Sequence, residues 1–580
     1  VEERRGNPGP EDMRILLAAL NSRYIHTNPA VYLLRAYARE FEQEISLAEY
    51  TINEEPDKIL ASIYEYRPDL LMFSCYIWNI REIRELAGEY HKIDPETRIW
   101  AGGPEVSFHT GEFLAKNPAF TGVMTGEGEE TFLELLSACR EGRSPDTVKG
   151  IVFRSTGAGS GLIVRTGSRP ETDLDQIPFP YHELSGFRNR ILYYESSRGC
   201  PFRCSYCLSS VDHHLRFRNI ETVRKELQFF LDRNVNQVKF VDRTFNCNRD
   251  RAYAVWKYLF EHDNGCTNFH FEISADLIRE EDLALMRRMR PGLIQLESGI
   301  QSTNPETLSA VRRSADFGKI KDAAVRIRSF GNISQHLDLI AGLPYEGYER
   351  FRRSFSDVYS LKPEQLQLGF LKVLPGSPLE AEASEYGIVY RSEPPYEVLY
   401  TKWLSFGEIC RLKEIEEMVG IYYNSGQFAA TLEAAEHLFP DGFSLYEELA
   451  SFYRRHGFQK VQQSRLEKYR ILLAFLTEKA GCESACFRET LTWDFYAREH
   501  VRVRPDFAPS EQADPKWVKQ FCGRVVFPYV HAELFQCDFP KDGPGVYLFD
   551  YRSRDPVTHN VPVTRIAEEK EYREYEETNR

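Results

Sequence analysis

The sequence predicts an α/β protein with three parts: a doubly wound parallel sheet, a partial (β/α)6 barrel and a mainly helical C-terminal domain. Three observations carry that expectation. Short apolar runs alternate with amphipathic stretches from Met13 to about Ile151. The alternation resumes near Ile191 for about six further strand–helix units. Beyond about Tyr390 the apolar spacing becomes helical.

Residues 1–12 read as a polar tail. Residues 13–150 form the first domain: "RILLAAL" reads as its first strand, followed by "AVYLLRAYAREFE", "ISLAEY", "PDKILASIYEY", "DLLMFSC", "NIREIRELAGEYHK", "RIWAGG" and "FTGVMTGEGEETFLELLSACR". Sheets of this kind hold ligands beyond the carboxyl ends of their strands. Those ends are "NSRYIHTN", "SCYIWN", "GGPEVSFH" and "TGEGEE". Residues 151–187 supply a hairpin with a Gly-rich turn, "GIVFRSTGAGSGLIVRTG", and a Pro-rich linker. Residues 188–390 carry the second series, with strands at "ILYYESS", "QVKFVD", "FHFEIS", "LIQLES", "SQHLDLIAG" and "LQLGFLKVLPG". A barrel so built presents its chemistry at the strand C-termini. In residues 391–580, "SLYEELASFYRRHG" and "RLEKYRILLAFLTEKAG" read as helices and "GRVVFPYV" and "GVYLFDY" as strands before a charged terminus.

Apolar residues make up 42% of the 580 and charged residues 28%, an ordinary globular balance. The net charge of −14 argues against a broad electrostatic grip on nucleic acid, so no nucleic-acid partner is expected. No apolar run reaches the roughly 18 residues of a membrane span, and the start lacks the layout of a signal peptide. The expected compartment is therefore the cytoplasm. There, closely spaced cysteines favour metal or redox chemistry over structural disulfides.

"RGCPFRCSYC" sets Cys200, Cys204 and Cys207 in a C-x3-C-x2-C pattern directly after the first strand of the second series. Three thiolates can hold three irons of a [4Fe–4S] cube and leave the fourth iron open. A three-cysteine zinc site with an outside ligand, or unrelated buried thiols, are the other readings. With Tyr206 just before the last cysteine, the motif resembles the signature of radical S-adenosylmethionine (SAM) enzymes. The resemblance implies that SAM fills the open position and, given an electron, yields a 5′-deoxyadenosyl radical. It implies a TIM-type partial barrel and an external one-electron reductant such as flavodoxin or ferredoxin. It places Asp242 near the methionyl amino group, and Ser274, Glu297, Gln301 and Ser302 around ribose and methionine, with Arg313 reaching a carboxylate. Relatives show Gly-Ile-Glu-Ser where this chain has Gly299-Ile-Gln-Ser302. A structural salt bridge is the competing reading for any one of these carboxylates.

Residues 13–150 in turn resemble the Rossmann-like cobalamin-binding domain that precedes the radical SAM core in one large subgroup. Gly102, Gly103, Gly126 and Gly128 carry that resemblance, because small residues let backbone approach a flat macrocycle. Asn21, Tyr24, His26, Ser74, Tyr76, Trp78 and Glu127 share the same loops. The D-x-H-x-x-G signature of many corrinoid proteins is absent. His26 lies in the equivalent loop, but Tyr24 stands where an orienting aspartate would be and Pro29 where the glycine would be, so an ordinary loop role competes with cobalt ligation.

The last third resembles an uncharacterised accessory domain of the DUF4080 kind. Cys482 and Cys486 sit four apart with no second pair nearby in sequence, so buried thiols are expected rather than another metal site. The whole implies a cobalamin-dependent methyltransferase acting on an unactivated carbon of a small-molecule or peptide substrate. The alternatives are a cyclisation or rearrangement with the same cofactors, and a non-catalytic corrinoid-binding protein.

Overall fold

The computed structural model describes residues 13–155, 161–211, 214–481, 484–501, 503–526, 529–539 and 541–579. The expected polar tail, the tip of the Gly-rich turn and Cys482 lie outside them. The chain divides into two compact units. One comprises Val1–Leu277, Ser309–Ser314 and Leu371–Thr401; the other comprises Ile278–Leu308, Ala315–Phe370 and Lys402–Arg580.

In the first unit, β1 (Ile15–Asn21), β2 (Ile45–Thr51), β3 (Leu70–Ser74), β4 (Arg98–Gly102) and β5 (Gly122–Met124) form a parallel sheet. β6 (Ile151–Arg154) and β7 (Ile163–Arg165) add antiparallel at its edge, giving the order β2-β1-β3-β4-β5-β6-β7. The predicted hairpin is thus part of the sheet. β1 and β3 are buried along their whole length, as strands covered by helices on both faces must be. The helix Ile80–Ile93 shows how the cover is made: Ile80, Ile83, Leu86, Ala87 and Tyr90 repeat on one face and are buried. Pro29, Pro56 and Pro104 each open a helix, where a missing N–H costs nothing.

The second parallel series begins in the same unit with β8 (Leu192–Tyr194). After it, β9 (Ser197–Arg198) and β10 (Arg216–Phe217) pair antiparallel and close the neck of the cysteine loop. β11 (Gln237–Phe240) pairs parallel with β8 and with β12 (Asn268–Ile273). The second unit holds the other three expected strands, β13 (Ile294–Gln301), β14 (Ser334–Ala341) and β15 (Gln365–Phe370), again parallel. Burial alternates residue by residue along β13 and β14. One face (Leu296, Ser298, Ile300; Leu337, Leu339, Ala341) is buried, and the other carries Glu297, Gly299, Gln301, His336 and Asp338.

The C-terminal region carries a series of helices between Phe406 and Val526, then an antiparallel three-stranded sheet of Val530–Phe535, Gly545–Asp550 and Val563–Glu568. "GVYLFDY" is a strand as expected. "GRVVFPYV" is not: its first half ends the helix Pro515–Val526, and the strand starts only at Val530. A short apolar run suits either period; here it continues a helix whose Trp517 and Val518 pack with Tyr572 of the terminal helix. Among the described residues no helix is long and apolar enough to cross a membrane.

Gly103 shows how tightly the strand-end loops are fitted. Its φ is +112°, and a Cβ there would stand 2.4 Å from the Cys75 carbonyl oxygen. Gly103→Ala is therefore expected to cost about 3 kcal/mol of stability or more, read as a lowered denaturant midpoint with an unchanged slope.

Candidate functional site

The cysteine loop leaves β8 through Ser196 and Ser197, and buried Asp242, just past β11, fixes that exit. Its carboxylate accepts hydrogen bonds from Ser196 N (2.9 Å), Ser196 Oγ (2.7 Å) and Ser197 Oγ (2.5 Å). Burial raises the Asp242 carboxyl to about 6, and the three hydrogen bonds only moderate the rise. The residue expected beside the methionyl amino group is thus also a fastener of the loop.

Gly199 sits at φ +87° with a prospective Cβ 2.5 Å from the His214 carbonyl, so only glycine passes where the loop crosses itself. Inside the loop, Ser205 N donates to Val311 O and Leu379 N donates to Ser205 O, clamping it from two sides. Cys204 is buried; Cys200 and Cys207 are half-buried. Burial pushes the Cys200 thiol up, and the charges of Cys207 and Cys204 push it further, so the three sulfurs share one electrostatic environment. Cys200 Sγ stands 3.6 Å from Thr244 Oγ1. Arg313 Nη1 donates to Tyr206 Oη (3.3 Å) and reaches Cys204 Sγ (3.7 Å). Three free thiols on one clamped loop, with a buried guanidinium beside them, fit an anionic iron–sulfur cluster. Cys247, which the sequence reading passed over, feels the charge of Cys200, and burial lifts its thiol to about 11.

Ser274 exchanges backbone hydrogen bonds with the side chain of buried Asn246 (2.9 and 2.8 Å), and its hydroxyl donates to Asp276. In the second unit, Gln301 takes φ +69° at a register shift between β13 and β14. Ser302 Oγ and Ser354 Oγ each donate to Oε1 of buried Glu346 at 2.7 Å. Asn246 and Glu346 support two expected site residues, yet each lies 28 or more positions away in sequence, so only the fold exposes them. Glu297 stands instead with His336 and Asp338.

At the strand ends of the N-terminal sheet, Tyr76 and Trp78 stack at 4.4 Å and 8°. Trp78 is 44% and Tyr24 69% exposed, unusual for such large side chains. Gly126, at φ +75°, faces open space, whereas Gly102, Gly103 and Gly128 have Met124, Cys75 and Leu34 within contact distance of a prospective Cβ. An exposed aromatic plate and a bare backbone turn, both at strand ends of this sheet, suit a flat macrocycle. Asn21 and Ser74 are buried in the loop framework: Asn21 Nδ2 donates to Glu49 and His26 O, and Ser74 Oγ meets Asn28. His26 is held by its backbone, which bridges to Ile191, and by its ring, whose Nδ1 lies 2.7 Å from Tyr193 Oη. Burial, then the charges of Arg23, Lys239 and Arg190, lower its pKa. Tyr193 thereby orients the imidazole where no aspartate does.

Glu127 and Glu129 grip the neck of the cysteine loop. Arg198 pairs with Glu195 (2.9 Å), Glu129 and Glu127 (3.4 Å), and Arg216 with Glu127. Burial works to raise the Glu127 carboxyl, but Arg216 and Arg198 hold it below its usual value.

Three family models match the chain in succession: "B12 binding domain" over residues 15–136, "Radical SAM superfamily" over 194–358 and "Protein of unknown function (DUF4080)" over 384–525. The chain thus carries, in order, a B12-binding domain, a radical SAM domain and a DUF4080 region. It is 27% identical over 385 residues to the cobalamin-dependent radical SAM methyltransferase TokK of Streptomyces tokunonensis, covering 61% of this chain and 55% of that one. It is 27% identical over 407 residues to the 2-(S-pantetheinyl)-carbapenam-3-carboxylate methyltransferase of Streptantibioticus cattleyicolor, covering 62% and 56%. The chain thus spans little more than half the length of these relatives. Its fold matches that of the cobalamin-dependent SAM radical enzyme OxsB, solved with aqua-cobalamin and SAM, with TM-score 0.58, 15% identity and 83% and 79% coverage.

Two outcomes follow from this geometry. Arg198→Met takes the arginine partner from buried Glu129 and is expected to destabilise the apoprotein by about 3–5 kcal/mol in denaturant unfolding. Because the Asp242 pKa is raised in the folded state, its contribution to stability is complete below about pH 4 and lost as pH rises through about 6. The Tm difference between wild type and Asp242→Asn should change across that window and be flat above it.

Proposed function

We propose that this chain is a cobalamin-dependent radical SAM methyltransferase that methylates an unactivated carbon of a small-molecule or peptide substrate, using an external one-electron reductant of the flavodoxin or ferredoxin type. The observation that carries this reading is the gripping of the cysteine-loop neck, through Arg198 and Arg216, by Glu127 and Glu129 of the B12-binding domain. A shared reaction requires that the two cofactor loops keep one fixed spacing.

In this reading Cys200, Cys204 and Cys207 hold a [4Fe–4S] cluster. Tyr206, Asp242, Ser274 and Arg313 are the first unit's candidate SAM contacts, and Gln301 and Ser302 are the second unit's. Tyr24, His26, Tyr76, Trp78 and Gly126 face cobalamin, with Asn21, Ser74, Gly102, Gly103 and Gly128 shaping their loops. When bound, the cluster supplies the electron for reductive cleavage of SAM, and cobalamin supplies the methyl group. The protein's residues do the placing: Arg313 offers a guanidinium to a carboxylate, Tyr193 fixes the His26 ring, and the stacked pair Tyr76–Trp78 offers a flat apolar seat that excludes water.

Anaerobically reconstituted protein given methyl-labelled SAM, reductant and candidate substrates tests the reading. Labelled product together with 5′-deoxyadenosine is the expected result. 5′-Deoxyadenosine with an unlabelled, altered product would establish cyclisation or rearrangement, and absence of 5′-deoxyadenosine would leave a corrinoid-binding protein. Cys204→Ala should lose the iron–sulfur absorption and reduce SAM cleavage to background while retaining cobalamin.

A further inference from the structure

β13 and β14 bring together a second group of metal-ligating side chains, built from none of the cluster cysteines. In their parallel register Glu297 lies opposite His336, and Gly299 lies opposite Asp338. Because side chains alternate with period two, His336 and Asp338 share a face, and Glu297 stands beside them on the neighbouring strand. One ligand atom from each of the three lies within 4.8 Å of the others. His336 Nε2 is 3.0 Å from Asp338 Oδ1, with the two side chains only 13% and 17% exposed.

We propose that Glu297, His336 and Asp338 bind a divalent transition-metal ion of the zinc type. The two carboxylates and the imidazole converge in a half-buried space, the arrangement of donors that a single cation requires. The imidazole selects the metal class. Calcium and magnesium favour all-oxygen sites, whereas one nitrogen with two carboxylate oxygens suits zinc and its first-row neighbours. Three protein donors leave a coordination position for water or an oxygen or nitrogen of a ligand, as in open zinc sites.

The position along the strands separates this group from the cosubstrate. Glu297 stands four residues before the end of β13 and His336 five before the end of β14. At about 3.3 Å per residue that is roughly 13–17 Å from the strand ends where SAM contacts belong. The site therefore takes Glu297 out of the ribose-lining set and gives it to the metal. It rests on these three residues alone and stands whether or not the radical chemistry is methylation.

The test is metal analysis of the full-length, reconstituted protein after incubation with zinc chloride and gel filtration. About one zinc per chain is expected in the wild type. His336→Ala and Glu297→Gln should each lower it at least tenfold, while iron content and far-UV circular dichroism stay unchanged. The full-length Cys200→Ala/Cys204→Ala/Cys207→Ala protein should keep its zinc. Zinc lost with the cysteines, absent from the wild type, or unchanged in either triad variant overturns the proposal. Should the triad variants fail to fold, cobalt(II) bound to the Cys200→Ala/Cys204→Ala/Cys207→Ala protein decides. Weak ligand-field bands of nitrogen and oxygen ligation support the site; thiolate charge-transfer bands or no binding overturn it.

Discussion

The buried guanidinium of Arg198 is the constraint on which the first unit's chemistry depends. It stands two residues before the first cysteine and is held by Glu195 on its own strand exit and by Glu127 and Glu129 from the N-terminal sheet's last parallel strand-end loop. A charge withdrawn from water is tolerated only when its partners are fixed, and fixed partners tolerate no drift of the loop they grip. Arg216 repeats the grip on the other side of the neck, and the β9–β10 pairing closes it. Two loops far apart in sequence are thereby made into one rigid piece.

Around that tie, polar side chains do the work that loops of this length cannot do by backbone alone. Asp242 collects three donors from Ser196 and Ser197, Asn246 brackets Ser274, and Glu346 receives Ser302 and Ser354. Each sets a strand-end residue in place through hydrogen bonds made out of reach of water. Glu49 does the same in the loop after β1, taking Asn21, Asn28, Tyr32 and Arg190 at once. The loop that carries His26 is then as firmly set as the strands it joins.

Much of the fold was legible. The alternation of apolar runs and amphipathic stretches gave the parallel strands of both series, because burial on both faces forces continuous apolar strands such as Ile15–Leu20. The cysteine loop was legible because its ligands are local. The helix ending at Val526 was misread as a strand, since four apolar residues fit either period. The roles of Glu127, Asn21 and three of the four glycines were legible only as loop membership: neighbours such as Arg216, Glu49 and the Cys75 carbonyl are supplied by other segments.

By itself, the sequence determined the strand–helix order, the three thiols and the small and aromatic residues at strand ends, because each depends on neighbours within a few positions. Tertiary structure decided which carboxylates grip arginines and which carboxylates and histidine converge on one strand face. It also decided that a tyrosine 167 residues away orients His26. Those choices rest on charge and hydrogen-bond partners brought within 3–4 Å by packing, and one-dimensional spacing carries no information about such distances.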